Sequence, residues 1–195
     1  MVKMTALILA GGLATRMNGV DKGLMPLQHK PLIQHVIDRL KTQVDEIIIN
    51  ANRAITKYQA LGYTVLQDYH HDFIGPLAGF SLGLGHAQYD YLLIVPCDSP
   101  LLPPNLAERL LAAIIEHDAE IAVAMSTGVT HPVFCLCKKN VLPTLSAYLE
   151  NGGRRVSTWQ KSLKYIEVDF SDYEDAFINL NTLEDLAKLE LRPQQ

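Results

Sequence analysis

Thr5-Ala6-Leu7-Ile8-Leu9-Ala10-Gly11-Gly12 is a short, continuous apolar run that breaks at paired glycines. A run of this length without polar alternation reads as a strand buried on both faces, as in parallel sheets covered by helices. Further buried strands are expected at Glu46 to Asn50, Tyr63 to Leu66, Tyr91 to Pro96 and Ile121 to Met125. Between them the apolar spacing changes to that of helices. Ile33, Val36, Ile37 and Leu40 follow Pro31, and Leu106, Leu110, Leu111, Ile114 and Ile115 follow Pro103-Pro104. Pro132 to Cys137 and Tyr165 to Phe170 read as later strands, and Thr182-x-x-Asp185 reads as a capping box opening a last helix through Leu186 and Leu189. Strands alternating with helices predict a three-layer α/β domain, Rossmann-like, with a mostly parallel sheet. Ligands of such sheets bind at the carboxyl ends of the strands.

Composition narrows the functional classes. The 195 residues match one domain, without repeat or linker, and 48% apolar against 19% charged residues fill a core without disulfides. A net charge of −4, with Lys138-Lys139 and Arg154-Arg155 the sole basic pairs, gives no surface for nucleic acid or an anionic membrane. No apolar stretch approaches the about 18 residues of a membrane span, and the N-terminus lacks a signal-peptide pattern, so a cytoplasmic protein is expected. Cys97, Cys135 and Cys137 form neither a disulfide framework nor a zinc pattern and are expected to be buried thiols. His70-His71 reads as a solvated loop pair. No H-E-x-x-H or G-x-S-x-G motif is present.

Three segments carry candidate chemistry. After the first strand, Leu9-Ala10-Gly11-Gly12 leads into Arg16-Met17-Asn18-Gly19-Val20-Asp21-Lys22-Gly23-Leu24. Glycines admit backbone N–H groups close to a phosphate, and Arg16 and Lys22 can neutralise it; the alternative is a glycine turn with solvated basic residues. The segment fits neither G-x-G-x-x-G nor G-x-x-x-x-G-K-[ST], which disfavours dinucleotide oxidoreductases and P-loop kinases. Tyr91 to Pro96 ends at Cys97-Asp98-Ser99-Pro100, where the Asp98 carboxylate at a strand tip can hold Mg²⁺ against nucleotide phosphates or, alternatively, cap a turn. Gly75-Pro76-Leu77-Ala78-Gly79 opens a helix whose first turn can face a ligand, whereas its later glycines suit close packing on the sheet. Asn50-Ala51-Asn52-Arg53 and Asp68 occupy further strand tips, where loop caps are the commoner use. No nucleophile or general base is needed if the acceptor is itself a phosphate, which is largely ionised at neutral pH.

These segments, in this order, resemble the molybdenum cofactor guanylyltransferase family over nearly the whole chain. The resemblance rests on Leu9 to Gly12, Arg16-Met17, Asp21-Lys22-Gly23-Leu24, Gly75-Pro76-Leu77-Ala78-Gly79, Pro96-Cys97-Asp98-Ser99-Pro100, His131-Pro132-Val133-Phe134, Gly153-Arg154-Arg155-Val156 and Phe177-Ile178-Asn179-Leu180-Asn181-Thr182. It implies a single nucleotidyltransferase domain that transfers GMP from GTP to the phosphate of Mo-molybdopterin, with Mg²⁺ as cofactor and pyrophosphate as the second product. Residues about 1–100 would form the GTP half and about 101–195 the molybdopterin half. By the same resemblance Leu9, Ala10, Gly11 and Gly12 would hold GTP through backbone contacts, and Arg16 and Lys22 would bind its phosphates. Asp98 would bind the metal, Asn50 and Asp68 would lie at the guanosine end with Gly79 nearby, and Arg154, Arg155, Asn179 and Asn181 would face the pterin. Transient contacts with molybdenum-insertion proteins and molybdoenzyme chaperones are also implied. The chain has Asn18-Gly19 where the family commonly has Gly-Gly, and Asn tolerates the left-handed conformation better than most residues. A cytidylyl- or sugar-phosphate nucleotidyltransferase shares the glycine loop and strand-tip Asp, and a non-catalytic nucleotide-binding regulator is the alternative from another class.

Overall fold

The computed structural model describes residues 2–11, 21–68, 75–173, 175–180, 184, 185 and 189. Along the chain run β1 (Thr5–Leu9), a 3-10 turn (Lys22–Leu24), the two-residue strands β2 (Pro26–Leu27) and β3 (Lys30–Pro31), α1 (Leu32–Leu40), β4 (Glu46–Asn50), α2 (Ile55–Gln59) and β5 (Thr64–Leu66). Then follow α3 (Pro76–His86), β6 (Tyr91–Pro96), α4 (Leu106–Glu116), β7 (Ile121–Ser126), β8 (Val129–Lys138), a second 3-10 turn (Lys139–Val141), α5 (Leu142–Glu150), α6 (Val156–Gln160) and β9 (Tyr165–Asp169). Thr182, Leu186 and the rest of the proposed capping box lie outside the described residues apart from Asp185, which is helical together with 184 and 189.

Seven strands form the main sheet in the order β5-β4-β1-β6-β8-β7-β9. β1 lies parallel between β4 and β6, with Leu9 opposite Asn50 on one side and Pro96 on the other. β4 and β5 are also parallel, as are β7 and β9. The expected mostly parallel sheet is therefore present, with one antiparallel strand in its middle. β8 runs against both β6 and β7. The connection from β7 to β8 is Thr127-Gly128, both with positive φ (48° and 78°), a two-residue hairpin turn too short for any parallel crossover.

The sheet separates two apolar layers. Alternate residues of β1 point to opposite faces: Ala6 and Ile8 pack with Ile33, Val36 and Leu40 of α1 and Leu106, Leu110 and Ile114 of α4. Leu7 packs with Leu77, Phe80 and Leu84 of α3, Leu145 of α5 and Trp159 of α6. This is the three-layer arrangement that two-sided burial of the first strand requires. All three cysteines are buried and unpaired, with Cys135 and Cys137 on β8 and Cys97 just beyond β6. Among the described residues no helix is long and apolar enough to cross a membrane.

Candidate active site

The carboxyl ends of β1, β4, β5 and β6 bring two groups of side chains together. At the β4 and β5 tips, the Asp68 carboxylate accepts Asn50 Nδ2 at 2.9 Å and Asn52 Nδ2 at 2.7 Å, and Asp68 N donates to Asn52 Oδ1 at 2.9 Å. Both amides are thereby oriented. Asn50 Oδ1 is turned toward the glycines: a methyl group built on Gly79 would stand 2.6 Å from it and 2.7 Å from Leu9 Cδ2. One built on Gly11 would meet Asn52 Nδ2 at 3.1 Å and Asn50 Oδ1 at 3.3 Å. Leu9, Gly11, Asn50, Asp68 and Gly79, read from separate segments of the sequence, thus surround one spot. Ala10 joins them through its N–H to Asn50 O at 2.8 Å.

The second group lies beside it, where β1 adjoins β6. Cys97 N donates to Leu9 O, so the chain stays paired to the strand tip before turning at Asp98. Lys22 Nζ lies 3.5 Å from Asp98 Oδ2, with the Asp98 side chain 11% and the Lys22 side chain 30% exposed. Burial pushes the Asp98 carboxyl above its ordinary range, and the Lys22 ammonium partly offsets that rise. Lys22 is held by its own turn. The Tyr58 hydroxyl, fully buried on α2, donates to Asp21 Oδ1, and Gly23 lies against that hydroxyl and Cys97 so closely that an added methyl would stand 2.6 Å and 3.2 Å from them. Asp21 is likewise raised by burial and lowered by Tyr58.

The C-terminal segment crosses the same end of the sheet. Leu180 N donates to Asp98 O at 3.0 Å, and Ser99 Oγ donates to Asn179 Oδ1 at 2.7 Å. Asn179 therefore joins the strand-tip group. Arg154 and Arg155 are exposed between α5 and α6, with Arg154 Nη1 on the carbonyls of Leu149 at 3.1 Å and Gly153 at 2.7 Å. This cation satisfies acceptors at the end of α5, as C-terminal basic residues do. Gly12, Arg16, Asn18, His70, His71 and Asn181 lie outside the described residues.

Asn52, Tyr58 and Ser99 complete these contacts without having been singled out as site residues. Asn52 carried a usable signal, since Asn50 and Asn52 are two apart at a strand end. Tyr58 carried none: its partner is 37 positions away in sequence and lies on a turn.

The glycines of α3 separate by what they face. A methyl at Gly83 would meet Leu7 Cδ2 at 2.6 Å and Leu92 Cδ2 at 3.1 Å, inside the core. Gly83→Ala is expected to cost about 1–3 kcal/mol through overpacking and lower the melting temperature, with no effect on binding of the GTP that the family resemblance implies. Gly79→Ala instead pushes on Asn50 and, if GTP binds at this group, is expected to weaken its binding. Thermal melts beside GTP titrations of both variants check this, and equal losses of GTP affinity would contradict it.

Residues 6–164 match the family described as "MobA-like NTP transferase domain". The domain is thus that of a nucleotidyltransferase. The molybdenum cofactor guanylyltransferase of Shewanella sp. (strain MR-4) is 48% identical over 188 residues, covering 96% of this chain and 95% of that one. The chain belongs to the molybdenum cofactor guanylyltransferase family, and it is an enzyme. Among solved structures, molybdopterin-guanine dinucleotide biosynthesis protein A from Archaeoglobus fulgidus superposes with a TM-score of 0.77 at 20% identity, over 96% of this chain and 97% of that chain. A CMP:2-keto-3-deoxy-manno-octonic acid synthetase complexed with CTP matches at 0.73 and 15% identity, over 96% and 97% of the two chains. The fold is therefore shared with a CMP:2-keto-3-deoxy-manno-octonic acid synthetase, and it is the sequence relatives that place the chain in the guanylyltransferase family.

Proposed function

We propose that the phosphate of Mo-molybdopterin attacks the α-phosphorus of GTP at this site, forming a phosphoanhydride bond to GMP. The bond between the α- and β-phosphates breaks, and pyrophosphate leaves with its electron pair. The carrying observation is the Lys22–Asp98 pair at 3.5 Å beside the Leu9 to Gly11 turn. A cation for phosphate and a buried carboxylate stand next to backbone that glycine leaves open.

In this reading Leu9, Ala10, Gly11 and Gly12 approach GTP through their backbone, and Lys22 and Arg16 bind its phosphates. Asp68, fixed by two amides, offers carboxylate lone pairs beyond those already used, and guanine presents N–H donors that such acceptors recognise. Asn179, Asn181, Arg154 and Arg155 serve the pterin. The change from parallel to antiparallel pairing between β6 and β8 supports a division at about residue 100 into a nucleotide half and an acceptor half. Location in the cytoplasm and handoff with molybdenum-insertion proteins and molybdoenzyme chaperones belong to the same reading.

Asp98 would also hold Mg²⁺. Its single buried carboxylate at the strand tip fits Mg²⁺, which commonly takes one or two carboxylates and completes its shell with substrate phosphates and water. When bound, the ion supplies positive charge against the transferring phosphate and the departing pyrophosphate. Calorimetry with GTP, CTP, UTP and ATP in Mg²⁺ tests the reading. GTP is expected to bind about tenfold or more tightly than the others, because a wrong base leaves buried polar groups without partners. Preference for another nucleotide would overturn it.

A further inference from the structure

We propose that His131 is a positioning residue for the acceptor substrate, acting through the segment that carries Asn179. The inference rests on the proposed role of Asn179 toward the pterin. His131 begins the His131-Pro132-Val133-Phe134 motif, to which the sequence attached no role.

The β7–β8 ladder is interrupted at this motif. Val123 pairs with Cys135 and Met125 with Thr130, so Ala124 alone stands opposite the four residues His131 to Phe134. Pro132 has no N–H for a ladder bond, and a bulge is where a central strand accommodates proline. Bulges also re-aim side chains.

Its ring is fixed on two sides. Nε2 is 2.8 Å from the buried hydroxyl of Ser126 at the end of β7. One face stacks on Phe177, with centroids 4.6 Å apart and 18° between planes. Phe134 and Phe170 meet Phe177 edge-on at 4.9 Å and 5.7 Å. From Phe177 the chain runs through exposed Ile178 to Asn179, on Ser99 Oγ, and to Leu180, whose N–H reaches Asp98 O. Phe177 and Leu180 are thus the buried anchors on either side of an exposed Asn179. The Ser126–His131–Phe177 stack sets the first of these anchors, and with it the direction Asn179 faces.

Steady-state kinetics of the full chain, varying Mo-molybdopterin at saturating GTP and the reverse, test the inference. His131→Ala is expected to raise the KM for Mo-molybdopterin about two- to tenfold, the size of a lost aromatic stack, with the KM for GTP unchanged. His131→Phe, which keeps the stack, should recover most of the loss. Ser126→Ala leaves the ring in place but untethered and should show a smaller rise of the same selectivity, which carries the test if His131→Ala does not fold. Asn179→Ala is measured alongside. If it raises the acceptor KM and neither the His131→Ala nor the Ser126→Ala variant does, the positioning role is overturned while the acceptor reading stands. If Asn179→Ala leaves the acceptor KM unchanged, the acceptor reading fails and takes this inference with it. Equal rises in both KM values would also overturn it.

Discussion

Asp98→Ala is expected to lower guanylyl transfer by about a hundredfold or more, the scale seen when a group that stabilises transition-state charge is removed. The substitution should leave the fold intact, and the reason lies in the same geometry. Burial disfavours the ionised Asp98 carboxylate, so losing the charge removes an electrostatic cost from the folded state. The bond from Leu180 N goes to the backbone oxygen of residue 98, which alanine retains. Lys22, 30% exposed, can turn to water. Transfer assays in Mg²⁺ with circular dichroism melts of the same samples check both halves, and unchanged turnover would remove Asp98 from the reaction.

Lys22→Ala is expected to weaken GTP binding about ten- to a hundredfold, the equivalent of one charge-assisted hydrogen bond to phosphate. Here the electrostatic balance moves the other way. Asp98 loses the cation that offsets its burial, so its carboxyl should be driven further upward. The variant thereby damages both partners of the site, and its loss of turnover should exceed its loss of affinity. Lys22→Arg keeps the charge but spreads it over a planar fork on a short turn pinned by Tyr58, Asp21 and Gly23, and should restore only part of the binding. Titration with GTP checks this, and parental affinity in Lys22→Ala would contradict the phosphate role.

Much of the region from β1 to β6 was legible because it follows local rules. Thr5–Leu9, Glu46–Asn50 and Tyr91–Pro96 are short, largely apolar runs that end at or within two residues of Gly, Asn or Asp, so strand and candidate site residue fall at the same few positions. The amphipathic spacing of Ile33 to Leu40 likewise located α1. What escaped reading depends on contacts between distant segments. The Tyr58–Asp21 bond and the Ser99–Asn179 bond join residues 37 and 80 positions apart, and neither leaves a periodic trace. The hairpin of β2 and β3 turns through Gln28-His29, both with positive φ, without the Asn-Gly or Asp-Gly that marks such turns. Thr127-Gly128 is a local signal for the antiparallel strand: a two-residue connection fixes β8 as antiparallel to β7. The remaining helices α5 and α6 follow that strand, where alternation with strands had ceased to guide the reading.

That hairpin also sets Ser126 and His131 apart from the residues at the tips of β1, β4, β5 and β6. Gly11, Asn50, Asp68 and Asp98 come from segments separated by whole crossover units and are brought together by the long-range pairing of β1 with β4 and β6 and of β4 with β5. Ser126 and His131 are five residues apart across a single turn. Their spacing is a local property of one ribbon. A substitution that disturbs the long-range pairing of β1 with its neighbours would therefore shift the strand-tip group while leaving the Ser126–His131 tether in register.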